Sequence, residues 1–207
     1  GHLENDQLLL EEPLQITLHA AQKSLRLATI LRTPGHDYEL VFGYLFALQL
    51  IESVHDVREL TYCSTPQDYN RLSVHFRGSI PEKALGLRNQ EWVHGGCGAC
   101  GQDGLEVVAP HRVHSAAEVD AAWLCGLPEQ LRLQQPLFAR CGGSHAAALV
   151  TPGGSPQLVH EDIGRHNAVD KVVGRLLMVD SRHTAFTEIR IHRQADCEVC
   201  SASARMA

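Results

Sequence analysis

The sequence lacks an apolar run long enough to cross a membrane. Its most apolar segment, residues 41–51, is interrupted by Gly43 and Gln49 and is shorter than the roughly 20 residues of a spanning helix. The first residues are polar and acidic, without the basic start and apolar core of a secretory signal peptide. The sequence therefore predicts a cytoplasmic protein with no membrane partner, and a chain that begins with Gly1 rather than Met is expected to have lost a preceding piece.

The sequence also has fewer positively than negatively charged side chains. The chain carries 18 Lys and Arg against 24 Asp and Glu, a formal net charge of -6, and its 13 His residues add positive charge mainly below neutral pH. A surface that binds nucleic acid normally leans basic, so no nucleic-acid partner is expected. Neither a Walker-type phosphate loop nor a GxGxxG segment is present, which excludes two common nucleotide-binding motifs.

What remains is the composition of a globular protein, with 207 residues, 44% hydrophobic and 20% charged. This length supports one domain or two small ones with a sizeable core. In the first third, alternating apolar residues predict strands, and helical spacing predicts one amphipathic helix after an N-cap at His36 or Asp37. The expected strands are 14–18, 25–27, 57–62 and 72–76, and the expected helix is 40–51.

The second half predicts further strands and helices, so the expected fold class is α+β. Ser115 is expected to cap a helix that runs to Leu124, and Pro128 is expected to open another helix. The remaining predicted elements are strands at 146–150 and 157–160 and a helix at 167–179.

Two of the seven cysteines, Cys97 and Cys100, lie in a segment, residues 94–104, that is rich in glycine and predicts a loop. The odd number of cysteines and the lack of an export signal argue against a disulfide framework. A thiol pair at this spacing suits a local disulfide, half of a zinc site, or the carriage of a persulfide sulfur. A second pair, Cys197 and Cys200, keeps an all-thiolate zinc site open, so residue types alone favour zinc and sulfur chemistry about equally.

Residues 161–171 combine charged and hydrogen-bonding side chains where a predicted strand gives way to a helix, a common position for ligand sites. Arg165 and Lys171 are suited to phosphate, because both carry positive charge and several hydrogen-bond donors. His166 or Asn167 is suited to a base or a pterin ring. The density of polar groups favours a ligand site here.

A structural alternative exists for the same segment. Asp162 and Asn167 would then cap the helix, and Asp170 and Lys171 would be solvated charges. The companion segment, residues 142–145, opens with two glycines that permit close backbone approach and ends in a histidine. From the residues alone, that histidine is interpreted as a core residue rather than a ligand.

Five segments in this order resemble the motifs of a known family. They are residues 33–40 (TPGHDYEL), 43–46 (GYLF), 97–101 (CGACG), 142–149 (GGSHAAAL) and 161–174 (EDIGRHNAVDKVVG). The family is that of the formate dehydrogenase accessory proteins, FdhD. The resemblance favours sulfur chemistry over zinc for the thiol pair.

The resemblance implies a sulfurtransferase. Such a protein accepts a persulfide from a cysteine desulfurase and passes the sulfur to the molybdenum of the bis-molybdopterin guanine dinucleotide cofactor, which formate dehydrogenase then uses. Cys97 matches the persulfide cysteine and Cys100 its partner, no zinc is expected, and homodimers are typical. The residues expected to bind the cofactor, including its guanine nucleotide end, are Gly143, His145, Asp162, Arg165, His166, Asn167 and Lys171.

The same resemblance implies two lobes joined by the cysteine loop. Residues 1–93 form a small N-terminal α/β lobe, 94–104 the loop, and 105–174 an incomplete lobe that resembles the cytidine deaminase fold without its zinc chemistry. Residues 175–207 lose the family pattern and are expected to be an atypical, out-of-frame tail. The alternative function is a non-catalytic zinc- or nucleotide-binding module that acts as a cofactor chaperone.

Overall fold

A computed structural model of the chain describes residues 7–62, 69–87, 90–94, 119–180 and 185–186. The two cysteine pairs, together with the expected cap at position 115, lie outside these ranges. Within them the protein is α+β, as predicted, with a five-stranded mixed sheet followed by a two-stranded sheet. No helix in the described ranges is long and apolar enough to cross a membrane.

The helices and strands follow one another along the chain. The elements are β1 (Glu12–Ala20), β2 (Lys23–Arg32), α1 (Asp37–Ala47), a 3-10 helix (Val54–Asp56), β3 (Val57–Tyr62), β4 (Arg71–Phe76), α2 (Glu82–Leu87), β5 (Gln90–His94), α3 (Ala121–Arg132), α4 (Pro136–Cys141), β6 (His145–Leu149), β7 (Gln157–Asp162), α5 (Arg165–Met178), β8 (Val179–Asp180) and β9 (Ala185–Phe186).

The large sheet has the strand order β3-β4-β1-β2-β5. Strands β1 and β2 form an antiparallel hairpin, and β3 pairs with β4 in the same antiparallel way. Alternation along β1 places Leu14, Ile16 and Leu18 in the core with no exposed surface, because successive side chains of a strand point to opposite faces. Helix α1 completes this core with Leu40 and Leu45, which are equally buried.

Strand β5 runs parallel to β2, with Leu31 opposite His94. Parallel neighbours end at the same edge of a sheet, so the chain that continues beyond His94 leaves the sheet beside the turn that joins β2 to α1. That turn consists of residues 33–36. The register therefore fixes where the segment that carries the cysteine pair begins.

Helix α5 lies between the part of the fold that contains α1 and the sheet formed by β6 and β7. It packs against α1 on one side and against β6 and β7 on the other. The crossing with α1 is close enough that only glycine fits. A methyl group on Gly43 would overlap the backbone of Asp170, and one on Gly174 would overlap the backbone of Glu39.

Most predicted elements are confirmed to within a few residues, with two corrections and several omissions. Helix α1 ends at Ala47, before the expected end at residue 51. The two helices expected around Pro128 are one helix, α3, which begins after Asp120 and contains the proline. Proline has no backbone N–H, so the carbonyl one turn before Pro128 loses its hydrogen-bond donor within the helix. Because α3 has no buried residue, water can bond to that carbonyl, and the proline is tolerated. The elements that were not predicted are all short: the 3-10 helix, α2, β5, α4, β8 and β9.

Candidate functional site

Two turns that are distant in sequence meet at one place in the fold. The β2–α1 turn contacts the turn between β7 and α5 through reciprocal hydrogen bonds. The backbone N–H of Thr33 donates to Asp162 Oδ2 (3.1 Å), and the backbone N–H of Ile163 donates to Thr33 Oγ1 (2.9 Å). We call the residues Thr33, Asp162, Asn167 and Lys171 the polar junction.

The carboxylate of Asp162 is the centre of the polar junction and has no exposed surface. Its Oδ2 accepts from Lys171 Nζ (2.8 Å) as well as from Thr33, and its Oδ1 accepts from the backbone of Gly164 (2.8 Å) and from Asn167 Nδ2 (3.0 Å). A buried charge is unfavourable unless it is paired and hydrogen-bonded, and here both conditions hold. Gly164 precedes the first residue of α5, so its bond to Asp162 closes a turn before the helix, and the expectation that Asp162 caps α5 is wrong.

The other two side chains of the polar junction also use their polar groups within the protein. Lys171, of which 1% is exposed, donates to the carbonyl oxygens of Thr33 (3.0 Å) and Glu161 (3.3 Å) in addition to its ion pair. Asn167 Nδ2 donates to the carbonyl of Leu31 (2.7 Å) as well as to Asp162. Because these bonds join α5 to the end of β2, the two residues position these elements. Lys171 is buried, so the structural alternative in which it is a solvated charge is wrong.

The remaining residues predicted to bind a cofactor lie around the polar junction and reach the surface. Gly143, His145 and Arg165 are exposed, and His166 is half-buried. The register of β6 with β7 places His145 opposite Asp162. The core interpretation of His145 is therefore wrong, and its side chain is accessible to a ligand.

The exposed Arg165 is the first residue of α5, a helix of 14 residues. Unpaired backbone N–H groups and the helix dipole favour anions at such an end, and a guanidinium adds charge and paired donors. Together with the imidazoles of His145 and His166, this donor set suits the phosphates of a nucleotide. The implied cofactor's nucleotide end therefore fits the residues present.

Sequence reasoning missed the part played by Glu161, which organises the segment before His145. Its carboxylate accepts from the backbone N–H groups of Leu137 (2.9 Å) and Phe138 (2.8 Å) at the start of α4, and from Ser144 Oγ (2.8 Å). These bonds hold α4 and the glycine pair beside β7. No local pattern marks the role, because the partners are 17 to 24 residues away in sequence.

Sequence reasoning also missed a buried ion pair at the start of α1. Arg32 Nε and one of its terminal nitrogens contact the two carboxylate oxygens of Asp37 at 3.0 and 2.9 Å. The hydroxyl of Tyr62 donates to the same carboxylate (2.9 Å), and burial together with that negative charge raises the pKa of Tyr62. Asp37 thus serves the fold and fixes the β2–α1 turn.

Beside the polar junction, four side chains form what we call the histidine cluster: His36, Glu39, His160 and Arg175. The ring centroids of the two histidines are 4.4 Å apart in an edge-to-face arrangement. Glu39 Oε1 is 3.4 Å from His36 Nδ1 and 3.6 Å from Arg175 Nη1. Burial, reinforced by the charges of nearby cations, lowers the pKa of His160 to about 4.

Away from the polar junction, a cavity of about 360 Å³ lies between the end of α1 and the loop after β4. None of the predicted site residues lines this cavity, so it is unrelated to the polar junction. Among the described residues, no three His, Cys, Asp or Glu side chains converge as metal ligands.

The fold and the polar junction define a class of protein: α+β chains in which a helix from the second half joins a mixed sheet to a two-stranded one. A similar solved structure is that of a candidate formate dehydrogenase accessory protein from Desulfotalea psychrophila. Its TM-score is 0.53 at 26% sequence identity, and the match covers 82% of this chain and 59% of that one.

The chain belongs to the FdhD/NarQ family, whose model matches residues 9–188. The match therefore runs past Gly174, where the family pattern was expected to end. The sulfur carrier protein FdhD of Saccharolobus solfataricus is 38% identical over 181 residues, which are 87% of this chain and 66% of that protein. Its counterpart in Anaeromyxobacter dehalogenans is 40% identical over 185 residues, 86% of this chain and 63% of that protein. The chain thus spans about two thirds of the length of the relatives it matches.

Proposed function

We propose that this protein is a sulfur carrier and sulfurtransferase. It accepts a persulfide sulfur on Cys97 and passes it to the molybdenum of the bis-molybdopterin guanine dinucleotide cofactor, which serves formate dehydrogenase. The names of its relatives, sulfur carrier protein and formate dehydrogenase accessory protein, support the role in outline. The donor is a cysteine desulfurase, and the molybdenum is the cargo that receives the sulfur.

One structural observation carries the proposal: the chain leading to Cys97 starts beside the polar junction. His94 pairs with Leu31, whose carbonyl is bonded to Asn167 of that junction. Cys97 lies outside the described residues, but it follows His94 by three residues, which span at most about 11 Å. The described chain that leads to Cys97 therefore ends beside the polar junction.

On the acceptor side, the exposed Arg165 and His145 and the half-buried His166 would hold the nucleotide end of the cofactor. Gly143 would permit close approach of its backbone. Asp162, Asn167 and Lys171 act through the turn that they hold in place, because their own polar atoms are already bonded. When bound, the cofactor supplies the molybdenum centre that takes up the sulfur.

Several finer features belong to the same proposal. Cys100 assists or resolves the persulfide on Cys97, and the protein works as a homodimer in the cytoplasm without structural zinc. The second half, residues 105–174, is a partial cytidine deaminase-like lobe. The four-part division at residues 93, 104 and 174 stays a prediction.

The decisive test is mass spectrometry of the protein after incubation with a cysteine desulfurase and cysteine, with zinc measured on the same sample. We expect one additional sulfur on the Cys97 peptide and none in a Cys97→Ser variant. Cys125→Ser is the matched control, because Cys125 is an exposed thiol on α3 outside the site. Unmodified Cys97 with stoichiometric zinc would contradict the proposal and favour the chaperone module.

A further inference from the structure

Glu161 holds both ends of the short segment that contains α4. Its Oε2 accepts from the backbone N–H of Leu137 (2.9 Å), and its Oε1 accepts from the backbone N–H of Phe138 (2.8 Å) and from Ser144 Oγ (2.8 Å). Residues 137–144 therefore form a loop that a single carboxylate closes, and we call this segment the clamped loop. Because its two ends are bonded to the same group, the clamped loop has fewer conformations to adopt than an open segment of the same length.

The side chain of Glu161 lies on the face of β7 opposite the polar junction. Successive side chains of a strand point to opposite faces, so Glu161 points away from Asp162 and from α5, to which Asp162 is bonded. The backbone of Glu161 serves the other side, since its carbonyl oxygen accepts from Lys171 Nζ of α5 (3.3 Å). Glu161 is thus bonded to the clamped loop through its side chain and to α5 through its backbone.

Bonds inside the clamped loop connect its glycine pair to the clamped end. Gly142 ends α4 with φ 65°, and its N–H donates to the carbonyl oxygen of Phe138 (2.7 Å). The N–H of Gly143 donates to Cys141 Sγ (3.4 Å), and the thiol of Cys141 donates to the carbonyl oxygen of Leu137 (3.0 Å). Gly143 is exposed, and a Cβ built on it would have its nearest neighbour 3.8 Å away, so there is open space beside it. The position of the glycine pair therefore depends on the bonds that Glu161 makes.

The clamped loop and α5 border the proposed nucleotide site from two sides. The residues of that site are Gly143, His145, Arg165 and His166. His145 directly follows the clamped loop and pairs with Asp162, whereas Arg165 begins α5 three residues after Asp162. A ligand that contacts both sides binds more tightly when their donors are already at the right separation, because ordering them on binding costs affinity. Glu161 is bonded to both sides.

We propose that Glu161 is the positioning residue of the nucleotide site, and that its bonds to the clamped loop set the affinity of the chain for a guanine nucleotide. This inference rests on the proposed function, in which His145 and Arg165 hold the nucleotide end of the cofactor. Glu161 acts without touching the ligand, because three donors occupy its carboxylate and a carboxylate repels a phosphate.

The test measures the binding of GDP to the full chain by isothermal titration calorimetry, since GDP contains the guanosine and the pyrophosphate of the cofactor's nucleotide end. Glu161→Gln keeps the size of the side chain but replaces one accepting oxygen by an amide that donates, so it cannot serve all three donors. Loss of a negative charge would by itself tighten the binding of an anion, whereas release of the clamped loop should weaken it. Glu52→Gln, at an exposed carboxylate in the first half of the chain, is the matched control for charge.

We expect Glu161→Gln to weaken GDP binding by roughly tenfold, because donors at both ends of the clamped loop lose their acceptor. Ser144→Ala frees only one end and should weaken binding by roughly threefold, and Glu52→Gln should leave binding unchanged. In a His145→Ala background the effect of Glu161→Gln should shrink to about twofold or less, since residues that act through each other are not additive. Circular dichroism checks that each variant is folded.

Two results would overturn the positioning role and leave the nucleotide site standing: GDP binding that Glu161→Gln leaves unchanged or tightens, and a loss of the same size with and without His145. If Glu161→Gln does not fold, Ser144→Ala in the same two backgrounds decides by the same criteria. A wild-type chain that does not bind GDP would refute the nucleotide site of the proposed function, and the positioning role with it.

Discussion

Two aspartates of the β7–α5 region occupy opposite environments. Asp162 is buried with four hydrogen-bond donors around it, one of them the charged Lys171. Asp170 is half-buried at the crossing with α1, where Tyr44 has a buried hydroxyl without a partner among the described residues. Partial burial raises the pKa of Asp170 to about 7, so near neutral pH this carboxyl is only partly the charge that the structural alternative expects.

The burial of Asp170 makes the stability of the protein depend on pH. The folded chain holds the proton of Asp170 up to about pH 7, whereas the unfolded chain releases it near pH 3.8. Stability should therefore fall as pH rises between these values and then level off, by about 1.4 kcal/mol for each unit of pKa difference at most. Asp170→Asn should remove this decline, and urea unfolding at pH 5 and pH 8 measures it.

The control for this prediction is an exposed carboxylate. Glu52→Gln changes charge by the same amount at a position that solvent reaches, so it should leave the difference between pH 5 and pH 8 unaltered. If Asp170→Asn and Glu52→Gln shift the two stabilities alike, the decline does not come from Asp170.

At this scale the sequence showed where polar groups are dense but not what they bind. The high density of polar side chains in residues 161–171 was visible from the sequence. The partners of Asp162 and Lys171 include Thr33, which is 129 residues from the former, and no local pattern encodes such a pairing. The role of Glu161 was missed for the same reason, since it depends on contacts that only the fold creates.

At the scale of elements, the crossing of α1 with α5 has no space for side chains at its centre. Gly43 lies against the backbone of Asp170, and Gly174 lies against that of Glu39. Backbone atoms cannot move aside as the end of a flexible side chain can. The helices must therefore separate if either glycine acquires a methyl group.

We expect Gly43→Ala to destabilise the protein by about 1–3 kcal/mol or more, the usual cost of overpacking, despite the better helix propensity of alanine. Gly86→Ala is the matched control, because Gly86 is also helical and a Cβ there meets nothing within 4 Å. That change should stabilise by about 0.5–1 kcal/mol. Thermal unfolding of both variants measures the difference, and similar effects at both positions would contradict the close crossing.

Helices and strands with a strong apolar periodicity were predicted correctly. The prediction failed at α3, where a proline lies inside a helix instead of at its start. The alternation of Leu14, Ile16 and Leu18 located β1, and the apolar spacing of residues 40–51 located α1. Pro128 was taken as a helix start, but an exposed helix tolerates it. Helix α2 has six residues, which is too short for a periodic signal.

At the scale of the whole molecule, α5 makes the two parts of the chain depend on each other. It packs against α1 of the first part and against β6 and β7 of the second, and the polar junction joins the same pieces. Removing one partner of a buried ion pair such as that of Asp162 with Lys171 typically costs about 3–5 kcal/mol. Neither part is therefore expected to unfold alone.

The two tryptophans allow this cooperativity to be measured, because Trp92 lies in β5 and Trp123 lies in α3. Variants Trp92→Phe and Trp123→Phe each leave one fluorescent reporter. We expect unfolding monitored by fluorescence to coincide with unfolding monitored by circular dichroism in each variant, as in a two-state transition. A fluorescence transition displaced from the dichroism transition in either variant would indicate that the two parts unfold separately.

Because His94 pairs with Leu31, the residue that precedes the cysteine segment has a fixed place at the edge of the sheet. The maximum distance from that place to Cys97 is then set by the number of residues between them. Each residue between His94 and Cys97 contributes at most about 3.5 Å of reach. Deleting one residue between His94 and Cys97 would shorten this maximum reach by one residue length, and inserting one would lengthen it by the same amount. Under the proposed function, the length of this spacer therefore limits how far from the polar junction a sulfur donor or acceptor can lie.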